Sequence, residues 1–115
     1  MNALLVGIGG GLGAMARYGV GQAVAAPWGT LTVNVLGSLL MGVLIGVLAA
    51  HHEAQKLLLG VGFLGGFTTF SAFSLDAVQL AQSGRVGLAA AYIALSVGVA
   101  IAALLLGLFL ARAFA

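Results

Sequence analysis

The residues of this chain that could do chemistry are few, and they sit inside stretches that otherwise carry only hydrocarbon. Asn34 is one, with Thr30, Thr32 and Ser38 around it; Thr68, Thr69, Ser71, Ser74 and Asp76 form a second group, and Tyr92 and Ser96 a third. Polar groups at membrane depth are costly and therefore informative. An isolated serine or threonine can bond a carbonyl of its own helix, which is its ordinary use. Asn34 cannot satisfy its whole amide that way, so it reads either as a hydrogen bond between helices or as a group lining a path. Asp76, in the last third of its stretch, reads either as a functional carboxylate or as a near-interface residue paired with a neighbour. Phe70 and Phe73 are three apart and share one helical face. A phenyl ring has a negative face but a positive edge, so such a pair can meet an anion without carrying charge, although a phenylalanine pair more often only packs.

The elements that hold these residues follow from composition. Of 115 residues, 63% are hydrophobic and 5% charged, and the mean hydropathy is +1.24, against about 25% charged in ordinary soluble domains. This is the composition of an integral membrane protein. With no cysteine there is no disulfide framework, thiolate metal site or cysteine nucleophile. The formal net charge of +2 comes from Arg17, Lys56, Arg85 and Arg112 against Glu53 and Asp76, too sparse a set for a nucleic-acid surface. His51 and His52 lie in a polar loop without a clustered carboxylate set, and no enzyme reading survives.

A spanning helix needs roughly 20 apolar residues, and four are expected, at about 3–24, 30–50, 57–81 and 86–113. "AAPWG" (25–29) ends the first with the only proline and an interfacial tryptophan. "HHEAQK" (51–56) reads as an aqueous loop and "QSGR" (82–85) as a turn. Together they form a single transmembrane domain over 1–115, all α, with nothing left for a soluble domain. The first span does not read as a cleaved leader, because its arginine comes late, at position 17. Small-xxx-small spacing at Gly7/Gly11, Gly9/Gly13, Gly42/Gly46 and Gly62/Gly66 predicts close helix packing. "GVGFLG" (60–65) matches the dinucleotide-binding G-x-G-x-x-G, but no strand precedes it and no acid follows at the required distance, so the match is accidental.

The third span should be broken. Gly65-Gly66 lies near its middle, and each glycine costs about 1 kcal/mol in a helix interior relative to alanine. Non-helical backbone at that depth must be buried in protein or line a cavity, and the carbonyls freed by such a break are cation ligands in channels and transporters. The other reading is a kink used only for packing.

Four spans place Lys56 and Arg112 on one side of the membrane, with Arg85 and the end of the first span near Arg17 on the other. Orientation follows the Lys/Arg imbalance of short loops. The balanced count therefore predicts either insertion both ways, with opposite copies paired as an antiparallel homodimer, or a single weakly biased topology.

"GGLGAMARY" (10–18), "GTLTVNVLGSLLMG" (29–42) and "GFLGGFTTFSAFS" (62–74) resemble the three signature segments of the bacterial fluoride channels, the Fluc or CrcB family, and length, span number and segment order agree along essentially the whole chain. The resemblance implies a passive, fluoride-selective channel that exports the ion across the cytoplasmic (inner) membrane. It implies an antiparallel dual-topology homodimer with two pores and a structural sodium ion on the two-fold axis, held by the backbone carbonyls of Gly65 and Thr68 from both subunits. It further implies that Phe70 and Phe73 form the ring-edge path, that Asn34, Ser71, Tyr92 and Ser96 line the pore, and that Arg17 lies near a vestibule, where Asp76 is a further candidate. Ala72 and Ala100 depart from the pattern, each lacking a hydroxyl that family members can carry.

The rival reading is a small dual-topology multidrug exporter of similar length. Proton-coupled cation export calls for a carboxylate deep in the first span, and this first span has none.

Overall fold

A computed structural model describes residues 1–48 and 51–114. The described chain contains four helical stretches long and apolar enough to cross a membrane, Asn2–Ala23, Trp28–Val47, Glu53–Gln82 and Val86–Ala113. In lipid every backbone polar group must be paired within the protein, and an uninterrupted helix does so locally. Helix α1 is Asn2–Ala23, α2 is Trp28–Val47 and α6 is Val86–Ala113. The third span is a composite: α3 (Glu53–Gln55), a π-helical stretch (Lys56–Leu64), α4 (Gly65–Phe67) and, beyond a break at Thr68-Thr69, α5 (Phe70–Gln82).

Several boundaries differ from those expected. Pro27 caps α2, a place where its missing N–H costs nothing. Trp28 is therefore the first residue of the helix, and its ring meets Tyr92 edge-on at 6.3 Å. The last two residues of the expected second span, 49 and 50, lie outside the described residues. The third span starts earlier than expected and takes in Glu53 and Lys56 from the polar hexamer. The turn before α6 needs a glycine, because Gly84 has φ +85, a region that side chains disfavour.

The third span changes partners at its break. Before the break, the π-helical stretch and α4 pack along α1; after it, α5 packs on α6, which also packs along the length of α2. Two glycine seams set the distances. A Cβ on Gly66 would lie 2.9 Å from the Cα of Gly10, so α1 and α4 are in backbone contact. Gly42 and Gly107 do the same for α2 and α6, where a Cβ on Gly42 would come within 2.8 Å of the Leu108 nitrogen. Without a hydrophobic drive between helices in lipid, this close approach is what dispersion forces require. Gly7 and Gly11, by contrast, face open space. Val33, Leu64, Phe67, Phe73 and Tyr92 are the large buried side chains between the layers.

The break does not fall where the glycine pair predicts. Gly65 is helical at φ −62, ψ −38, whereas Thr68 (φ −89, ψ 160) and Thr69 (φ −152, ψ 124) are extended. Gly66 serves the seam with α1 instead. The interruption belongs to two β-branched residues, which tolerate extended backbone well, and Thr69 then caps α5 by accepting the Ala72 N–H at 3.2 Å.

Candidate functional site

The broken span survives at this depth because its lost helical bonds are replaced from other elements. Thr69 N–H donates to Asn34 Oδ1 at 2.8 Å, and Asn34 Nδ2 donates to the Thr69 carbonyl at 2.9 Å. This reciprocal pair also settles which end of the amide is oxygen. Of the two readings of Asn34, the structure therefore supports the bond between helices, although the side chain also borders the cavity described below. Arg17 Nε, reaching in from α1, donates to the Gly66 carbonyl at 3.0 Å. The expectation of a vestibule arginine thus meets a side chain that turns toward the break, where a cation complements the carbonyl end of α4.

Among the carbonyls at the break, those of Gly65 and Thr68 lose the donors that a continuous helix would give them. In a continuous helix the Gly65 oxygen would accept from Thr69 N–H and the Thr68 oxygen from Ala72 N–H. Those donors go to Asn34 and to Thr69 Oγ1 respectively. The two oxygens named for a cation are thus those whose i+4 donors are engaged elsewhere.

Beside the break, between α2, α5 and α6, lies a cavity of about 300 Å³. Asn34, Thr68, Thr69, Phe70, Phe73 and Ser96 line it, and no charged side chain is among its described lining residues. The Phe70 and Phe73 rings stand 5.3 Å apart at 54°, and Phe73 continues to Tyr92 at 5.4 Å. Phe73 is buried while Phe70 is 76% exposed in the single chain. Ser96 Oγ is shut off from solvent and makes no hydrogen bond of good geometry with another described residue.

The remaining expected site residues lie elsewhere. Tyr92 is fully buried and donates its hydroxyl to Asp76 Oδ2 at 3.2 Å, so it reaches the cavity only through its ring contact with Phe73. Asp76, also buried, borders a separate cavity of about 210 Å³ with Pro27, Gln79 and Ser83. Ser71 is exposed, its Oγ 3.3 Å from Thr69 Oγ1. Arg17 and Ala72 border a third cavity of about 240 Å³ with Thr30. The hydroxyl missing at position 72 is thus missing from the Arg17 side of the break, while Ala100 does border the phenyl-lined cavity.

Sequence reasoning missed the hub of this site, Thr69, whose N–H, carbonyl and Oγ1 all bond across the break. A signal was present: a threonine three residues before Ala72 at the start of a helical segment is an N-cap pattern.

Four apolar spans, a third span broken inside the protein and a phenyl-lined cavity at the break define a small multi-pass membrane protein whose irregular backbone borders a cavity. The chain belongs to the CrcB family: residues 4–108 match the family described as CrcB-like protein, Camphor Resistance (CrcB). Relatives named "Fluoride-specific ion channel FluC" are similar along nearly their whole length. The one from Novosphingobium aromaticivorans is 52% identical, covering 96% of this chain and 95% of that protein. The one from Rhizobium johnstonii is 48% identical, covering 100% and 99%, and that from Cereibacter sphaeroides is 54% identical, covering 95% and 93%.

Proposed function

We propose that this chain forms a passive, fluoride-selective channel that lets the ion leave across the cytoplasmic membrane and so lowers its concentration in the cell. The observation that carries this reading is the shared wall of Phe70, Phe73 and Ser96 around a cavity with no charged lining residue among those described, in a chain whose relatives bear the name of a fluoride channel. A small, strongly hydrated anion must be offered replacements for water. Ring edges and the N-terminus of α5, which opens at Phe70 and favours negative charge, are such replacements, and neither of them traps the ion as a lysine would. Purified protein in liposomes, assayed with a fluoride electrode, is expected to release fluoride rapidly and chloride far more slowly. No fluoride release, or equal release of both ions, rejects the reading.

The working unit is proposed to be an antiparallel homodimer. With Arg17 turned toward the break, Arg85 stands against Lys56 and Arg112, an imbalance of a single charge that is weak as an orientation signal. A cysteine placed at Ala54, exposed beside Lys56, should be labelled by an impermeant reagent from both sides of the membrane. Labelling from one side only contradicts the antiparallel pair.

A sodium ion is proposed at the dimer centre, on the Gly65 and Thr68 carbonyls of both subunits. Neutral oxygens suit a hard monovalent cation, and these two have had their helical donors engaged elsewhere. Bound there, the ion would supply fixed positive charge at the break. Exchange of sodium for a bulky organic cation should then lower thermal stability of the dimer, by about 2.7 kcal/mol where sodium had stood at a hundred times its Kd. Melting that is indifferent to sodium would remove the ion from the proposal.

A further inference from the structure

Several hydroxyls inside the spans are used locally. Thr32, Thr68 and Ser74 each donate to the carbonyl four residues earlier, on Trp28, Leu64 and Phe70, and Thr69 Oγ1 caps α5. That is the ordinary use of such groups, which satisfies them within their own helix. Ser38 departs from it. Ser38 makes no hydrogen bond with another described residue, although it stands one turn after Asn34 on α2, with the Asn34 carbonyl at the spacing used by the other three; Ser96 Oγ is instead shut away beside the Tyr92 hydroxyl.

Both serines border the same cavity of about 300 Å³. The other polar groups of that wall are engaged: the Asn34 amide with Thr69, Thr68 Oγ1 with Leu64 and Thr69 Oγ1 with Ala72. Its remaining residues beyond the rings, Val97, Ala100 and Ile101, have no side-chain donor. An anion that has passed Phe70 and Phe73 therefore finds one uncommitted O–H group in that wall, on Ser38 of α2. A hydroxyl at membrane depth without a partner is costly, and a wall that keeps one uncommitted has a use for it when an acceptor arrives.

We infer that Ser38 is a permeation residue, a hydroxyl donor to the anion from α2. This rests on the fluoride-channel reading and extends it to a residue outside the ring-edge path. Fluoride accepts stronger hydrogen bonds than chloride, so loss of the donor falls on fluoride first.

The test compares wild type, Ser38→Ala and Ser38→Thr in the liposome assay, with thermal melting of each. Ser38→Ala is expected to slow fluoride efflux about tenfold, the rate equivalent of one hydrogen bond to a charged partner, with melting unchanged because the hydroxyl bonds nothing in the protein. Ser38→Thr, which keeps the donor, should run close to wild type. A Ser38→Ala protein at wild-type rate overturns the inference. So does a Ser38→Thr protein as slow as the alanine variant, or a slow alanine variant with lowered melting, since either result makes the position one of packing. Should Ser38→Ala fail to assemble, Ser38→Gly carries the same comparison. Absence of fluoride flux in the wild type rejects the channel reading itself and this inference with it, whereas wild-type flux unaffected at position 38 rejects Ser38 alone.

Discussion

Replacing Asn34 with alanine is expected to abolish fluoride efflux and to lower the melting temperature in the same protein. The two effects belong together because the Asn34 amide holds both backbone groups of Thr69, its N–H at 2.8 Å and its carbonyl at 2.9 Å. Removing it leaves a donor and an acceptor unpaired at membrane depth. At about 1–3 kcal/mol for each buried unsatisfied group, the loss is about 2–6 kcal/mol, enough to let the extended Thr68-Thr69 pair relax into another conformation. Phe70 and Phe73 would then lose their register on the cavity. Asn34→Asp sharpens the test, since it keeps an acceptor for the Thr69 N–H but no donor for the carbonyl, and an intermediate melting temperature is expected. If Asn34 served only as a donor to the passing ion, efflux would fall with melting unchanged in both variants, and that pattern would remove the positioning role assigned to it.

The dependence of the break on Asn34 also marks what the sequence could and could not disclose. The four spans were legible because apolar runs interrupted only by Pro27, by the polar residues after position 50 and by Gly84 leave few other ways to cross a bilayer. The break was legible in kind but displaced in position. Glycine propensity is a local quantity, and it pointed to Gly65-Gly66. The bonds that make Thr68-Thr69 the break come from Asn34 in another helix, and the seam that needs Gly66 comes from Gly10 on α1. The π-helical stretch Lys56–Leu64 was not legible at all, because its apolar residues suit an α-helix equally well and the wider turn leaves no pattern of residue types.

Arg17 illustrates the same limit on charge counting. Its place late in the first span suggests a residue near the membrane edge. A long side chain can carry its charge away from its own Cα, and here it carries Nε to the Gly66 carbonyl. The guanidinium beside the break complements the carbonyl end of α4, and the hydroxyl absent at Ala72 is absent from this cationic side rather than from the phenyl-lined cavity. A departure from the family pattern at position 72 therefore bears on the Arg17 cavity first. Ala100 bears on the phenyl-lined cavity directly.

Isoleucine at Phe70 or Phe73 should slow fluoride efflux by about two orders of magnitude, equivalent to about 2.7 kcal/mol of barrier, while the proposed dimer still assembles. Isoleucine fills much of the same space but has no positive ring edge, so the substitution isolates the feature that distinguishes a ring path from ordinary packing. The two positions should differ in stability. Phe73 is buried and touches both Phe70 at 5.3 Å and Tyr92 at 5.4 Å, so Phe73→Ile loses two aromatic contacts of about 0.5–1.5 kcal/mol each and should melt lower. Phe70 loses one such contact, and at 76% exposure in the single chain its replacement should leave the fold of that chain nearly intact. Efflux and melting are thereby separated: a protein that melts like wild type yet conducts poorly, as expected of Phe70→Ile, cannot owe its defect to a disturbed core. Wild-type efflux in both variants would mean that the rings only pack, and the ion path would have to be sought along another wall of the protein.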